Sequence, residues 1–394
     1  MTDTAAIYLD YNASTPLLPE ALDAMLPYLR GNFGNPSSDH ASGHRARAAV
    51  ERAREQVAAF LGCDADEIVF TSGGTEANNL AIRGAAEAVN HRRHVITSTI
   101  EHPATEESCN WLGRHGWTVA RAGVDASGVV RIDDVRKALS VDTALVTVMH
   151  ANGETGVLQP MTEIVEAART FGAVVHTDAA QSIGKVRLNV RELGVDLLSL
   201  AGQKVYAPKG VGVLYIKRGT RLHAVLAGAG HERGLRPGTE NVAAIVGLGV
   251  ALERVGCDLE TAATRMRELR DDLWRRLVDR IPGIRLNGDS RRRLPNTLNV
   301  QFSGVSARKL LHSVPEIEAS AGSACHAGDD APSSVLTAMG MLPDEARSSI
   351  RFSLGRPTTS ADVARASEAL WLAWQALTDV REPVSHANTL QRVK

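Results

Sequence analysis

Between residues 67 and 216, short apolar runs rich in β-branched residues alternate with stretches whose apolar residues recur at helical spacing. Glu67–Thr71, His94–Thr99, Ala144–Met149, Ala173–Thr177, Asp196–Leu200 and Gly212–Ile216 read as strands. Glu76 to about Val89 and Met161 to Thr170 read as helices. Strand, helix and strand in repeated succession predict an α/β fold: a mainly parallel sheet with helices on both faces. The runs are apolar nearly throughout, as strands covered on both sides must be. The last pair, DLLSL and GVLYI, is joined by a short Gly/Pro-containing segment and reads as antiparallel.

From about residue 255 the texture changes. Met266, Leu269, Leu273 and Leu277 recur at spacings of three and four, which predicts an amphipathic helix with an Arg-rich outer face. Short strands at Thr297–Phe302 and Ser349–Ser353 and a final helix from Ser360 to about Thr378 complete a smaller α+β domain. The run Arg291–Arg293 reads as a solvated loop, and the polar tail from Glu382 to Lys394 as frayed. A length of 394 residues is compatible with two to three domains.

Charge excludes some functions. Lys plus Arg number 44 against 45 for Asp plus Glu, so no global field draws the chain to nucleic acid or to a membrane surface. Aromatic residues are 4%, too few for a base-stacking surface. The start, MTDTAAIYLD, does not resemble a signal peptide, and no long uninterrupted apolar segment occurs, so a soluble cytoplasmic protein is expected. The four cysteines, Cys63, Cys109, Cys257 and Cys325, stand far apart without a CxxC pair. They form neither a disulfide framework nor a zinc site, and any special thiol acts alone.

Four segments carry candidate chemistry. In Thr71-Ser72-Gly73-Gly74-Thr75-Glu76-Ala77-Asn78 a strand ends, glycines turn, and a helix begins with a hydroxyl residue at its expected N-cap. This is either an ordinary capped turn or a helix terminus that holds a phosphate. Asp178 ends an apolar strand at the edge where doubly wound sheets place ligands, a position equally suited to a helix cap. Lys204, in Leu200-Ala201-Gly202-Gln203-Lys204, follows a strand among small residues and is a candidate amine nucleophile, whereas Lys209 sits in a structural Pro-Lys-Gly turn. Cys325, in Gly322-Ser323-Ala324-Cys325-His326, lies in a loop of small residues beside a histidine that favours the thiolate.

In this order, these segments resemble the fold-type I pyridoxal-phosphate enzymes of the class V aminotransferase group, and more narrowly the NifS/IscS-type cysteine desulfurases. The resemblance runs from YLDYNASTP at Tyr8 to RFSLGRPTT at Arg351, through TSGGTEANN, IEHPA, VMHANGETG, HTDAAQ, KVYAPKGVGVLYI, GHERGLRPGTEN, LPNTLNV and GSAC. It implies a seven-stranded-type sheet in a large domain, residues 16–254. A smaller α+β domain from residues 1–15 and 255–394 would carry the catalytic cysteine loop. It further implies pyridoxal 5'-phosphate as cofactor, L-cysteine as substrate, a homodimer and a sulfur-acceptor protein, with no direct contact to nucleic acid or membrane.

Carried over by motif, Lys204 matches the lysine that holds the cofactor covalently, Asp178 the partner of its ring nitrogen, and His102 the histidine stacked on the ring. Gly74 and Thr75 match the phosphate cup; Asn152 and Gln181 match contacts to the ring and its 3′-oxygen, Asn152 also facing substrate. Thr239 resembles the residue that reaches a neighbouring subunit's phosphate. Arg351 matches the clamp for the substrate carboxylate, and Cys325 the thiol that accepts sulfur as a persulfide. Two positions depart from the usual SxHK before the lysine: Ala201 lacks a hydroxyl, and Gln203 replaces a histidine. The ending LQRVK also lacks the scaffold-docking motif of housekeeping members. A selenocysteine lyase, or a desulfurase dedicated to tRNA thiolation or DNA phosphorothioation, remains an alternative. A non-catalytic relative would have no evident use for Lys204, Asp178, His102, Arg351 and Cys325 together.

Overall fold

The computed structural model describes residues 6–89, 91–321 and 331–379. Its strands in chain order are β1 (Ile7–Tyr8), β2 (Ile68–Thr71), β3 (His94–Ser98), β4 (Thr118–Ala122), β5 (Thr143–Thr147), β6 (Val174–Asp178), β7 (Leu197–Ala201), β8 (Gly212–Ile216), β9 (Arg285–Leu286), β10 (Thr297–Gln301), β11 (Ile317–Glu318), β12 (Ser320–Ala321) and β13 (Ser349–Ser353).

Seven of them form the main sheet, in the order β2-β8-β7-β6-β5-β3-β4. Neighbours from β4 to β7 pair in parallel, and β8 runs antiparallel to both β7 and β2. The antiparallel DLLSL/GVLYI pair is therefore present. Strands β2, β5, β7 and β8 are buried at every position, which accounts for their unbroken apolar runs. Strand β4, Thr-Val-Ala-Arg-Ala, is the one the sequence reading omits. It lies at the sheet edge, is buried only at Ala122, and so carries no apolar run. Chain order reverses between β3 and β5. That is a topological switch point, and in open α/β sheets ligands bind outside the carboxyl ends of the strands there.

The second sheet, β12-β13-β10-β9, is antiparallel. Leu269, Leu273 and Leu277 of helix Leu259–Val278 pack on its Leu298, Val300, Ile350 and Phe352, with Val363 and Leu370 of helix Ser360–Asp379 closing the core. Ile7 and Leu9 join this core, and β1 pairs with β11. The outer face of helix Leu259–Val278 is Arg-rich and exposed at Arg265, Arg267 and Arg275, and Arg291 and Arg292 are exposed as expected, but two arginines depart from these readings. Arg270 does not belong to a solvated face: it is buried and donates to the Leu294 carbonyl at 2.8 Å. Arg293 is also buried, donating to the carbonyls of Asp289 and Asn287, and burial pushes its pKa down to about 10. Both use the long side chain of arginine to satisfy loop carbonyls that water does not reach.

Candidate active site

The chemistry-bearing residues come from the carboxyl ends of adjacent parallel strands. After β3, Glu101 accepts from the backbone N–H of Met149, at the end of β5, and from the Ser98 hydroxyl, so one carboxyl joins the two strands that flank the switch point. Burial pushes its pKa up to about 8 against the lowering effect of these bonds. His102 caps helix Pro103–Arg114: its Nδ1 accepts from the Ala104 N–H at 3.1 Å, which assigns the proton of the neutral ring to Nε2. Desolvation lowers its pKa, with Asp178 opposing and Lys204 adding to the shift, so the ring is neutral at neutral pH.

Strand β6 ends in Asp178, buried, with Oδ1 accepting from the Ala180 N–H at 2.9 Å and Oδ2 from Asn78 Nδ2 at 2.7 Å. The residue caps its own turn and also faces the site. Each oxygen keeps an acceptor position, which suits a pyridinium N–H. Strand β7 leads through the short turn Gly202–Lys204, and Lys204 Nζ donates to the carbonyls of Asn12 at 2.6 Å and Ala13 at 2.8 Å. Two residues on, Tyr206 adopts φ +64°, held by Thr15 Oγ1, which accepts from its N–H at 2.7 Å. Left-handed backbone at a tyrosine is costly and persists because this N-terminal segment overdetermines it.

The mouth of helix Gly74–Glu87 departs from expectation in one detail. The N-cap is Gly73, with φ +154°, and not a hydroxyl residue; Thr75 lies in the first turn. A cap without a side chain leaves the first-turn N–H groups to an outside anion, and a Cβ placed at Gly73 would meet nothing within 4 Å. Ala201 borders this mouth, since a Cβ at Gly74 would lie 3.2 Å from the Ala201 methyl. Glu76 accepts from the Ser72 N–H and from Arg236 Nε; these bonds outweigh burial and hold its carboxyl below the usual range. Arg236 thereby pins the loop that carries Thr239, which is exposed.

The same loop is anchored by Glu232, at φ +45°, which accepts from Arg54 Nη2 at 2.7 Å, Arg54 Nη1 at 2.9 Å and the Phe70 N–H at 2.8 Å. The Arg54 and Glu232 side chains are 11% and 2% exposed, so removing the carboxylate leaves a buried guanidinium with only the half-exposed Glu51 as counter-charge. Glu232→Ala is expected to cost about 3–5 kcal/mol, read as a lowered urea midpoint. An unchanged midpoint would show that the pair contributes nothing to the fold.

Strand β13 delivers Arg351, whose Nη2 donates to Asp10 Oδ1 at 2.6 Å and Nη1 to the Gly153 carbonyl at 3.1 Å. Its Nε is buried without a hydrogen-bond partner among the described residues. Asn152 is differently placed. Its Oδ1 accepts from Glu154 N, Thr155 N and Thr155 Oγ1, and its Nδ2 donates to the Ile100 carbonyl and Met149 Sδ. Contact with ring or substrate requires one of those bonds to open. Gln181 donates through Nε2 to the Asn12 carbonyl. Gln203 meets the N-terminal segment through its own carbonyl, which accepts from Thr15. Cys325 lies outside the described residues.

Four contributors escaped the sequence reading. Asn78 supports Asp178, Asp10 supports Arg351, and Asn12 and Lys185 link Lys204 to Gln181. All but Lys185 stand inside motifs quoted above, but only tertiary contact assigns them partners.

An amine, a carboxylate and an anion cradle at one sheet edge are what a phosphorylated pyridoxal ring requires of a protein, and these residues fit it. Residues 7–366 match the family described as aminotransferase class-V. The cysteine desulfurase IscS of Dictyoglomus turgidum is 45% identical over 360 residues, 91% of this chain and 91% of that protein. Among solved structures, a NifS-like protein superposes with a TM-score of 0.87 at 34% identity, over 95% of this chain and 100% of that one. SspA in complex with cysteine superposes at 0.79 and 36% identity, over 89% and 99%. The chain belongs to the class-V aminotransferase family of pyridoxal-phosphate enzymes, in its cysteine desulfurase branch.

Proposed function

We propose that this enzyme is a cysteine desulfurase that converts L-cysteine to L-alanine and takes the sulfur onto Cys325 as a persulfide. The observation that carries the reading is the meeting of Lys204, Asp178 and the glycine-capped helix mouth at the carboxyl ends of neighbouring strands. Lys204, Asp178, Gln181, His102, Gly74, Thr75, Asn152 and Gln203 would hold the cofactor, which supplies an electron sink for charge developing at the substrate Cα.

Arg351 is proposed to hold the substrate carboxylate, its guanidinium exchanging the Asp10 or Gly153 contact for it. The Lys204 amine takes the proton from Cα, and neutral His102 exchanges a proton at Nε2. The Cys325 thiolate then attacks the substrate sulfur. An S–S bond forms, the C–S bond breaks, and protonation of the carbon product gives alanine.

Thr239, exposed on the loop pinned by Arg236 and Glu232, is proposed to complete the phosphate cradle of a second copy. The division at residues 16–254 against 1–15 and 255–394 is supported by the two cores, because Ile7 and Leu9 pack with the second. Leu336, Met339 and Ala346 nevertheless pack with main-sheet residues such as Ile96, Val146 and Val175 in one apolar core, so the small domain leans on the large one there. Among the described residues no helix is long and apolar enough to cross a membrane, and a cytoplasmic location is proposed.

Mass spectrometry of Cys325 after incubation with cysteine or with selenocysteine tests the assignment. Sulfur added from cysteine supports it. An adduct with selenocysteine alone would favour a lyase of that amino acid. The departures near Lys204 give a second expectation: Gln203→His, which restores the usual family residue, should not loosen the cofactor in equilibrium dialysis. A weaker hold would show that the ring is bound differently from the family pattern.

A further inference from the structure

Lys185 is 5% exposed, lies beyond the strands that carry the site, and has no role in the reaction as described. Its Nζ donates to Asn12 Oδ1 at 3.0 Å and to Gln181 Oε1 at 3.1 Å. Among the described residues no carboxylate forms an ion pair with it, and burial followed by the like charges of Lys204 and Arg351 drives its pKa well down. Both of these hydrogen bonds end on side-chain amide oxygens.

The consequence falls on Gln181. An amide side chain can present either its oxygen or its nitrogen, and the two orientations differ only by a flip. Lys185 claims the oxygen, so Gln181 offers only its nitrogen, which already donates to the Asn12 carbonyl at 3.1 Å. That carbonyl also accepts from Lys204 Nζ at 2.6 Å, so the amide nitrogen of Gln181 and the amine of Lys204 converge on one oxygen. Gly153 makes the arrangement possible: a Cβ there would lie 2.9 Å from Gln181 Nε2.

We propose that Lys185 is a positioning residue that locks the Gln181 amide with its nitrogen toward Lys204, so that Gln181 acts as a donor to the phenolic oxygen of the pyridoxal ring. The proposal rests on the cofactor reading above. A donor at that oxygen stabilises its negative charge most when the nearby lysine-linked nitrogen has lost its proton. Removing the donor therefore raises the pH at which the bound cofactor changes colour.

In the loaded enzyme, Lys185→Met is expected to raise that spectroscopic midpoint by about one pH unit, the size of one hydrogen bond. Gln181→Leu should raise it by the same amount, and the double variant by no more than either alone. Lys185→Gln, which keeps a neutral donor, should remain within about 0.3 unit of the parent on the same scale, and it also serves if the methionine variant does not fold. An unmoved midpoint in Lys185→Met, a full shift in Lys185→Gln, or additive shifts in the double variant would overturn the proposal. Failure of the parent protein to take up pyridoxal phosphate would instead overturn the reading beneath it.

Discussion

Lys204→Ala is expected to lower alanine release from cysteine by at least about a thousandfold, the upper part of the range for loss of a positioned acid–base group. The amine does two jobs in the proposed reaction, holding the cofactor covalently and moving the Cα proton, and no neighbour can replace it. Lys185 is the nearest candidate by chemistry, but its amine is tied to Asn12 and Gln181. The fold should survive. The Asn12 and Ala13 carbonyls that Lys204 occupies lie in a part-buried setting where water can take its place. A partial return of activity with a small added amine, at an unchanged Tm, would separate lost chemistry from lost structure. Turnover within tenfold of the parent would remove Lys204 from the mechanism.

Cys325→Ala should leave the visible spectrum of the bound cofactor intact and abolish the persulfide. Sulfur release in the absence of a reducing acceptor should fall by at least about a hundredfold, because no other thiol is suited to substitute. Burial pushes the pKa values of Cys63 and Cys109 up to about 12, which leaves almost no thiolate at neutral pH. Cys257 is exposed, but it lines a surface groove with Phe60, Asn189 and Leu252 instead of the strand ends where Lys204 and Asp178 meet. Trapping with an alkylating agent followed by peptide mass analysis reads the outcome directly. Normal persulfide on the variant would exclude Cys325 as the acceptor.

The main sheet was legible because its central strands are buried on both faces and therefore mostly apolar. Strand β4 was not, since Thr118, Val119, Ala120 and Arg121 face an edge where polar residues are tolerated. Burial of Arg270 and Arg293 was also invisible, because a charge in sequence does not reveal a carbonyl waiting beneath it. The site was legible as motifs: strand-end Asp178, Lys204 after β7, and the glycines before the helix. Its supports were not. Asn78 holds Asp178 from 100 residues away, and Asn12 meets Lys185 across 173. Such pairs leave no periodic trace in one sequence. The glycine cap was misread because Thr75 is an equally good cap residue; only the backbone angle at Gly73 decides.

The Asn12 backbone N–H donates to the Ser353 hydroxyl, and Asp10 accepts from Arg351, each across 341 residues. Closing a loop of that length carries an entropic cost that only the finished second core can offset. During synthesis, the large sheet can therefore assemble with Lys204 and Asp178 in place while the segment that seats the Lys204 amine still has no partner strand. A chain that stops before that segment can still seat Lys204 through Asn12 and Ala13, but it has neither Arg351 nor the strand that fixes Asp10 and Asn12 from the other side.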